Sequence, residues 1–314
     1  MSENWRPGVN KATLHLRAEM LGKIRAFMQV RDILEVDTPV LSLAGTPDPN
    51  INSISANLSI KGESLPYYLQ TSPEFCMKRL LADDSGAIYQ ITKVFRDEEI
   101  GALHQPEFSI LEWYRPGFDH HSLMDEVAEL LIELGLGEPK RCSYESAFLR
   151  YLDINPHSAD IPVLRSKASD LGLQQTSNQR SLLLDFLFSH SVSPHLGIDR
   201  ALLLYDYPAC QAALARLTND KPVRAERFEL FISGIELANG FHELKDVQEQ
   251  RERFEEENNI RQRSGLETVV IDEALLSALE FGLPDCAGVA IGLDRLLMVM
   301  AEKSQINDVM TFPL

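Results

Sequence analysis

Basic residues are scarce in this chain. Thirty Lys and Arg stand against 47 Asp and Glu in 314 residues, a formal charge of -17. A surface built to grip a phosphate backbone draws on Lys and Arg, so nucleic acid is disfavoured as the main partner. Cysteine is sparse as well. Cys76, Cys142, Cys210 and Cys286 form no C-x-x-C pair, which argues against a zinc cluster or a disulfide framework and for reduced thiols. No apolar run approaches the roughly 20 residues that cross a bilayer. The opening M-S-E-N-W-R-P-G lacks the apolar core of a signal peptide, so a cytoplasmic protein without a membrane partner is expected. Internal repeats and low-complexity segments are absent.

What is present is ordinary globular material. Hydrophobic residues make up 44% and charged residues 25%, enough apolar surface for one large domain or two modest ones. From Ala12 to Val30, Leu16, Met20, Leu21, Ile24, Phe27 and Met28 recur at helical spacing, an amphipathic helix with one buried stripe. In the strand-like run I-L-E-V-D-T-P-V-L, Pro39 cannot donate to a ladder and confines the strand to an edge. T-P-D-P-N at Thr46–Asn50 is a loop. A strand ends near Gln70, and Ser72 caps a helix with Pro73 at its first position and Glu74 in its first turn. A-I-Y-Q-I-T-K-V-F-R and E-F-S-I-L-E-W-Y-R read as an antiparallel hairpin whose loop runs from Glu98 to Pro106. Ser122–Leu136 reads as a second amphipathic helix. The segment from about 141 to 224 shows short helical patterns and no catalytic cluster, and reads as an insertion. D-V-Q-E-Q-R-E-R-F-E-E-E-N-N-I-R-Q-R is a polar helix with a solvated face, ended by Gly265. The helix I-D-E-A-L-L-S-A-L-E-F-G, a strand and a glycine-punctuated turn into a last helix close the chain.

Three stretches carry chemistry. Between Phe228 and Glu243, F-E-L-F-I-S-G-I-E-L-A-N-G-F-H-E sets Glu229, Glu236 and Glu243 among strand formers. Acids there are costly to bury unless they meet a cation, although the stretch alone reads equally well as a strand with acids on its wet face. In V-F-R-D-E-E at Val94–Glu99, Arg96 sits where strand gives way to loop, placed to fork onto a phosphate oxygen. Phe108 on the returning strand offers a flat face to a base. The plain alternatives are a surface salt bridge for Arg96 and core packing for Phe108. In G-V-A-I-G-L-D-R, Gly288 and Gly292 let backbone lie against a ligand, and Arg295 opens a helix where anions are favoured. Glu229 and Glu236 are hard oxygen donors for Mg²⁺, which binds through a few carboxylates together with substrate phosphates. Glu112, Tyr114 and Glu243 together suit a primary ammonium. The three stretches describe a site for ATP, Mg²⁺ and a small cationic substrate.

These strings resemble motifs 1, 2 and 3 of the class II aminoacyl-tRNA synthetases: the helix and strand ending at Pro39, the hairpin around Arg96, and the G-x-x-x-G-x-D-R of Gly288–Arg295. T-S-P-E-F, H-Q-P-E-F, L-E-W-Y and E-L-A-N-G-F-H-E-L narrow the resemblance to lysyl-tRNA synthetase catalytic cores, over nearly the whole chain. Bacterial lysyl-tRNA synthetases carry an anticodon-binding barrel before motif 1, whereas here the motif 1 helix begins near Ala12. The chain therefore resembles more closely the free-standing paralogues that act on elongation factor P, a likeness carried by L-E-W-Y-R-P and P-D-C-A-G-V-A-I-G.

The resemblance implies an α+β fold, an antiparallel sheet flanked by helices, in one catalytic domain over 1–314 with the insertion at about 141–224. Motif 1 would build a twofold dimer. The implied activity is ATP-dependent activation of (R)-β-lysine as its adenylate and transfer to a lysine side chain of elongation factor P. Arg96 would hold the α-phosphate, Arg295 the γ-phosphate, and Glu229 and Glu236 Mg²⁺. Glu98 and Phe108 would meet the adenine, and Asp97, Gln105, Leu237 and Gly292 complete the ATP site. Ser72 and Glu74 would meet the substrate amino group beside Pro73, Tyr114 and Glu243 the distal ammonium with Glu112, and Asn239 the attacking carboxylate. Ala290 stands where lysyl-tRNA synthetases usually have glycine, and its methyl would crowd an α-amino group and spare a β-amino group. Asp97 and Gln105 each replace the family's usual asparagine. The motif 2 loop G-A-L-H also lacks the arginine common in tRNA-charging relatives. Two other readings stand beside this one: activation of α-lysine with transfer to tRNA, and a regulatory paralogue without turnover. The latter predicts a broken ATP site, yet Arg96, Glu229, Glu236 and Arg295 are all present.

Overall fold

The computed structural model describes residues 5–61, 63–174 and 177–314, so Met1–Asn4 of the opening stretch lie outside the described residues. In chain order the elements are α1 (Lys11–Gln29), β1 (Leu34–Glu35), β2 (Leu41–Ser42), β3 (Ser55–Ile60), β4 (Glu63–Leu69), α2 (Glu74–Ala82), β5 (Ile88–Phe95) and β6 (Glu107–Pro116). They continue with α3 (His120–Glu133), β7 (Lys140–Ser143), α4 (Tyr144–Leu152), α5 (Ile161–Asp170), α6 (Arg180–Leu187), β8 (Leu202–Pro208), β9 (Arg224–Ile232) and β10 (Ile235–His242). The last four are α7 (Val247–Arg263), α8 (Glu273–Gly282), β11 (Cys286–Gly292) and α9 (Leu293–Met300). The chain divides into two units, Met1–Pro116 with Lys245–Asp285 and Ala290–Leu314, and Gly117–Leu244 with Cys286–Val289. No described helix is long and apolar enough to cross a membrane.

In the first unit, α1 starts at Asn10, whose Oδ1 accepts from Thr13 N at 2.9 Å. Its stripe of Met20, Ile24, Phe27 and Met28 is buried, as the spacing predicts. The run around Pro39 makes only two-residue strands, in keeping with a residue that cannot donate to a ladder. Strands β5 and β6 pair antiparallel from Ile88↔Tyr114 to Phe95↔Glu107, the expected hairpin, and β1 joins β5 in parallel. A small sheet has the order β2-β4-β3. Helix α7 departs from its expectation of a merely solvated polar helix: Gln250, Phe254 and Arg261 are buried. Arg261 is interior because it donates to the carbonyls of Asp48 at 3.0 Å and Glu267 at 2.8 Å.

The second unit has strands in the order β10-β9-β8-β7, antiparallel except for the parallel pair β7 and β8. Helix α3 packs on β9 and β10. Much of the segment 141–224 forms the core of this unit, where Tyr144, Phe148, Leu183, Leu187 and Leu204 pack with Phe231 of β9. The segment also supplies the strand β8, which its short helical patterns did not announce. Gly240 on β10 is held to glycine by packing, since a Cβ there would lie 2.4 Å from Phe228 Cζ. Helices flanking mixed, mostly antiparallel strands make the chain α+β, as expected, with parallel pairing at β1/β5 and β7/β8.

Candidate functional site

In the first unit the hairpin delivers Arg96 at its last rung, where Arg96 N donates to Pro106 O at 2.9 Å. The guanidinium lies 5.1 Å from the centroid of the Phe108 ring and 3.7 Å from Glu99 Oε1. Its Nε is buried and has no hydrogen-bond partner, so part of its fork is left for an acceptor. The expected phosphate and base groups, Arg96 and Phe108, thus stand together. Asp97 and Glu98 are pinned by Asn52, whose carbonyl accepts from Asp97 N at 2.8 Å and whose Nδ2 donates to Glu98 Oε2 at 3.4 Å. Glu98 has φ of 61°, a left-handed conformation uncommon without glycine, which turns the loop sharply after Arg96.

Arg295, in the first turn of α9, bridges to the same loop. Its Nε donates to Leu103 O at 3.1 Å, and Nη2 lies 2.6 Å from His104 Nε2. Burial and the Arg295 charge lower the His104 pKa, which leaves the imidazole neutral and able to accept. Gly292 is the residue before α9, and Ala290 lies two before it on β11. Gln105 is buried with its amide engaged by the chain's own end: Nε2 donates to Asn307 Oδ1 at 2.7 Å, and Oε1 accepts from Leu314 N at 3.3 Å.

Asp294 is the residue that sequence reasoning passed over. Its Oδ1 accepts from Arg17 Nη1 at 2.6 Å and its Oδ2 from Ser109 N at 2.6 Å, while Arg17 Nη2 donates to Ser109 Oγ at 2.9 Å. One carboxylate therefore ties α1, β6 and α9 together next to Phe108 and Arg295. The D of L-D-R was the available signal.

Of the residues expected at the lysine end, Ser72, Pro73, Glu74, Glu112 and Tyr114 belong to this unit. Pro73, not Ser72, is the N-cap of α2, so the helix begins one residue later than expected, and Ser72 Oγ accepts from Glu74 N at 3.3 Å. Glu74 Oε1 accepts from the buried Lys78 Nζ at 2.7 Å. On β6, Glu112 and Tyr114 share a face, and the Tyr114 hydroxyl donates to Glu112 Oε1 at 2.7 Å.

Glu257 of α7 faces this region. Burial, with the Asp48 carboxylate and to a lesser degree Glu74, pushes its carboxyl up to about 8 from an ordinary 4.5, and Arg253 offsets part of the rise. A carboxyl whose folded pKa exceeds its unfolded value holds its proton more tightly when folded. Its contribution to stability is full below the unfolded pKa, falls as pH rises towards about 8, and is constant above that. Glu257→Gln is expected to shrink the fall in Tm between about pH 5 and pH 8, read by calorimetry. An equal fall in both proteins would contradict this assignment.

In the second unit, β9 and β10 pair with Asn239 opposite Glu229 and Phe241 opposite Arg227, so these four share one face. Glu236 is exposed beside a register shift, and Leu237 is buried. Glu243 follows β10, is buried, and donates its N–H to Cys286 O at 3.0 Å. Arg227, which the motif search did not single out, organises the group. It is ion-paired with Glu229, donates Nε to Asn239 Oδ1 at 3.2 Å, and donates Nη1 to Gln211 O at 2.7 Å. Burial acts to lower its pKa, but the Glu229 carboxylate overrides that and holds the guanidinium above its ordinary value. The charges of both Glu229 and Glu236 act on Arg227, one carboxylate buried and ion-paired with it and the other exposed. Both offer the hard oxygen donors that Mg²⁺ takes.

The residues 4–314 match the family model of tRNA synthetases class II (D, K and N). The elongation factor P--(R)-beta-lysine ligase of Proteus mirabilis is 47% identical over 321 aligned residues, covering 100% of this chain and 99% of the relative. The proteins of that name from Yersinia enterocolitica and Vibrio parahaemolyticus are 46% and 45% identical, again across 100% of this chain and 99% of each relative.

Proposed function

The chain belongs to the class II tRNA synthetases (D, K and N), and from that membership we propose an ATP-dependent ligase that activates (R)-β-lysine and transfers it to elongation factor P. The observation that carries this reading is the full-length likeness to ligases of that name. The match over 4–314 supports one catalytic domain.

The reaction has two displacements. A carboxylate oxygen of β-lysine attacks the α-phosphorus of ATP, the bond to the β-phosphate oxygen breaks, and pyrophosphate leaves. The side-chain amine of a lysine on elongation factor P then attacks the carbonyl carbon, loses a proton, and expels AMP. The enzyme's part is positioning and charge neutralisation. Arg96 holds the α-phosphate and Arg295 the γ-phosphate, and Phe108, Asp97, Glu98, Gln105, Leu237 and Gly292 line the nucleotide. Ser72, Pro73 and Glu74 receive the amino group near the carboxyl end. Glu112, Tyr114 and Glu243 receive the distal ammonium, and Asn239 aligns the attacking carboxylate. Glu229 and Glu236 would hold Mg²⁺, which when bound would neutralise triphosphate charge. Arg227 keeps Glu229 and Asn239 in place for these tasks.

We assign the choice between lysines to Ala290. Its methyl disfavours an amino group on the α-carbon, a contact worth roughly 1–3 kcal/mol. Ala290→Gly is expected to raise kcat/KM for α-lysine relative to (R)-β-lysine by about tenfold or more, and an unchanged ratio would remove Ala290 from this role. A twofold dimer fits the exposed Val30 and Leu34 at the motif 1 end of α1 and β1, and mass at micromolar concentration checks it. The acceptor in this reading is a protein in the cytoplasm, with tRNA set aside. ATP–pyrophosphate exchange with each lysine tests the activation step: exchange with (R)-β-lysine is expected, and none with either lysine would overturn it.

A further inference from the structure

The second unit carries a group of side chains that the ligase reaction does not use. On the strand pair β9–β10, the face bearing Arg227, Glu229 and Asn239 is the one assigned above. Alternation puts Glu226 and His242 on the opposite face, where α3 packs. His120, the first residue of α3, reaches the same place. One nitrogen each of His120 and His242 and one oxygen of Glu226 lie within 4.8 Å of one another. His242 Nδ1 is 2.5 Å from Glu226 Oε2.

His120 is itself poised for a ligand. Its side chain is only 6% exposed, and its Nε2 lies 3.3 Å from Asp206 Oδ1. Asp206 in turn accepts from Arg224 Nη1 at 2.9 Å through Oδ2. An ionised carboxylate only accepts, so Nε2 is the protonated nitrogen of His120. In the neutral ring Nδ1 is then the lone-pair nitrogen, and it is buried and without a hydrogen-bond partner. A buried acceptor left unmatched is costly and calls for an occupant. A carboxylate gripping one ring nitrogen while the other is left free is how proteins orient a metal-binding histidine.

We propose that His120, Glu226 and His242 bind a divalent transition metal of the zinc class. Two imidazoles with one carboxylate favour zinc, cobalt or nickel over magnesium, which prefers oxygen alone. The metal takes the place of the proton shared by His242 and Glu226. Asp206 holds His120 by its Nε2, and a donor nitrogen of His121 lies within 4.8 Å of donor atoms of His120 and Asp206. The ion joins the start of α3 to β9 and β10. Because His242 directly precedes Glu243, it also fixes the end of the strand that carries this substrate carboxylate. The wide separation of positions 120, 226 and 242 in the chain hid the group from a search by spacing.

The test uses the full-length protein, stripped with a chelator and titrated with zinc by calorimetry and with cobalt by visible absorption. One tightly held equivalent per chain is expected, with the visible bands of four- or five-coordinate cobalt and a zinc-dependent rise in Tm. His120→Asn and Glu226→Gln should each weaken uptake at least tenfold and abolish the Tm rise, and Asp206→Asn, acting through His120, should weaken it roughly 10- to 100-fold. Circular dichroism identifies a variant that fails to fold, and the remaining two then carry the test. No tight equivalent in the wild-type chain, or uptake undiminished in the folded variants, would overturn the proposal.

Discussion

Arg96→Ala is expected to slow ATP–pyrophosphate exchange about 100- to 1,000-fold, the usual cost of deleting one preorganised donor to developing charge. The hairpin fixes the backbone of Arg96 through its bond to Pro106, and the Phe108 ring lies under the guanidinium, so the side chain is positioned before any nucleotide arrives. Its ion pair with Glu99 is long at 3.7 Å and partly exposed, hence a weak competitor for a phosphate. For the same reason stability should barely change, and Tm separates lost chemistry from lost folding. Arg96→Lys keeps the charge and loses the fork, so its activity should fall between the two. Exchange within threefold of wild type in Arg96→Ala would remove Arg96 from the reaction.

Asp294→Ala should have the largest effect on stability. The carboxylate is 3% exposed and accepts from both Arg17 and the backbone of Ser109, so its removal leaves a cation and an N–H unmatched at once. Breaking a buried pair from one side costs about 3–5 kcal/mol. Arg17 is 23% exposed and water reaches it, which favours the lower end of that range. Arg17→Met should cost less, because Asp294 keeps the Ser109 N–H. Urea unfolding of both variants and the double variant measures the coupling, and equal losses for the two single variants would contradict the assignment.

The parts of this fold that were legible in the sequence are those whose signal is local. The stripe of α1 and the alternation of β5 and β6 each sit within a few residues of one another, and the structure has both, while α2 starts one residue later than its Ser72-Pro73-Glu74 signal predicts. The parts that were not legible depend on partners far away. Arg261 looks like surface charge until Asp48 and Glu267 offer their carbonyls. Leu202–Pro208 is an apolar run short enough to be helix or strand, and only pairing with β9 decides it. The proposed site residues rest on their motif strings. Arg227 and Asp294 were not found that way, because a lone charge beside a motif says nothing of its burial. Gln105 shows the converse: its string placed it at the nucleotide, while its amide bonds Asn307 and Leu314.

The most direct test of the whole account is the intact mass of elongation factor P after incubation with this protein, ATP, Mg²⁺ and (R)-β-lysine. The account predicts the gain of one β-lysyl group on one lysine side chain, with pyrophosphate and AMP released and no gain when ATP is omitted. An unchanged mass, with the lysine instead ending on tRNA, would contradict it.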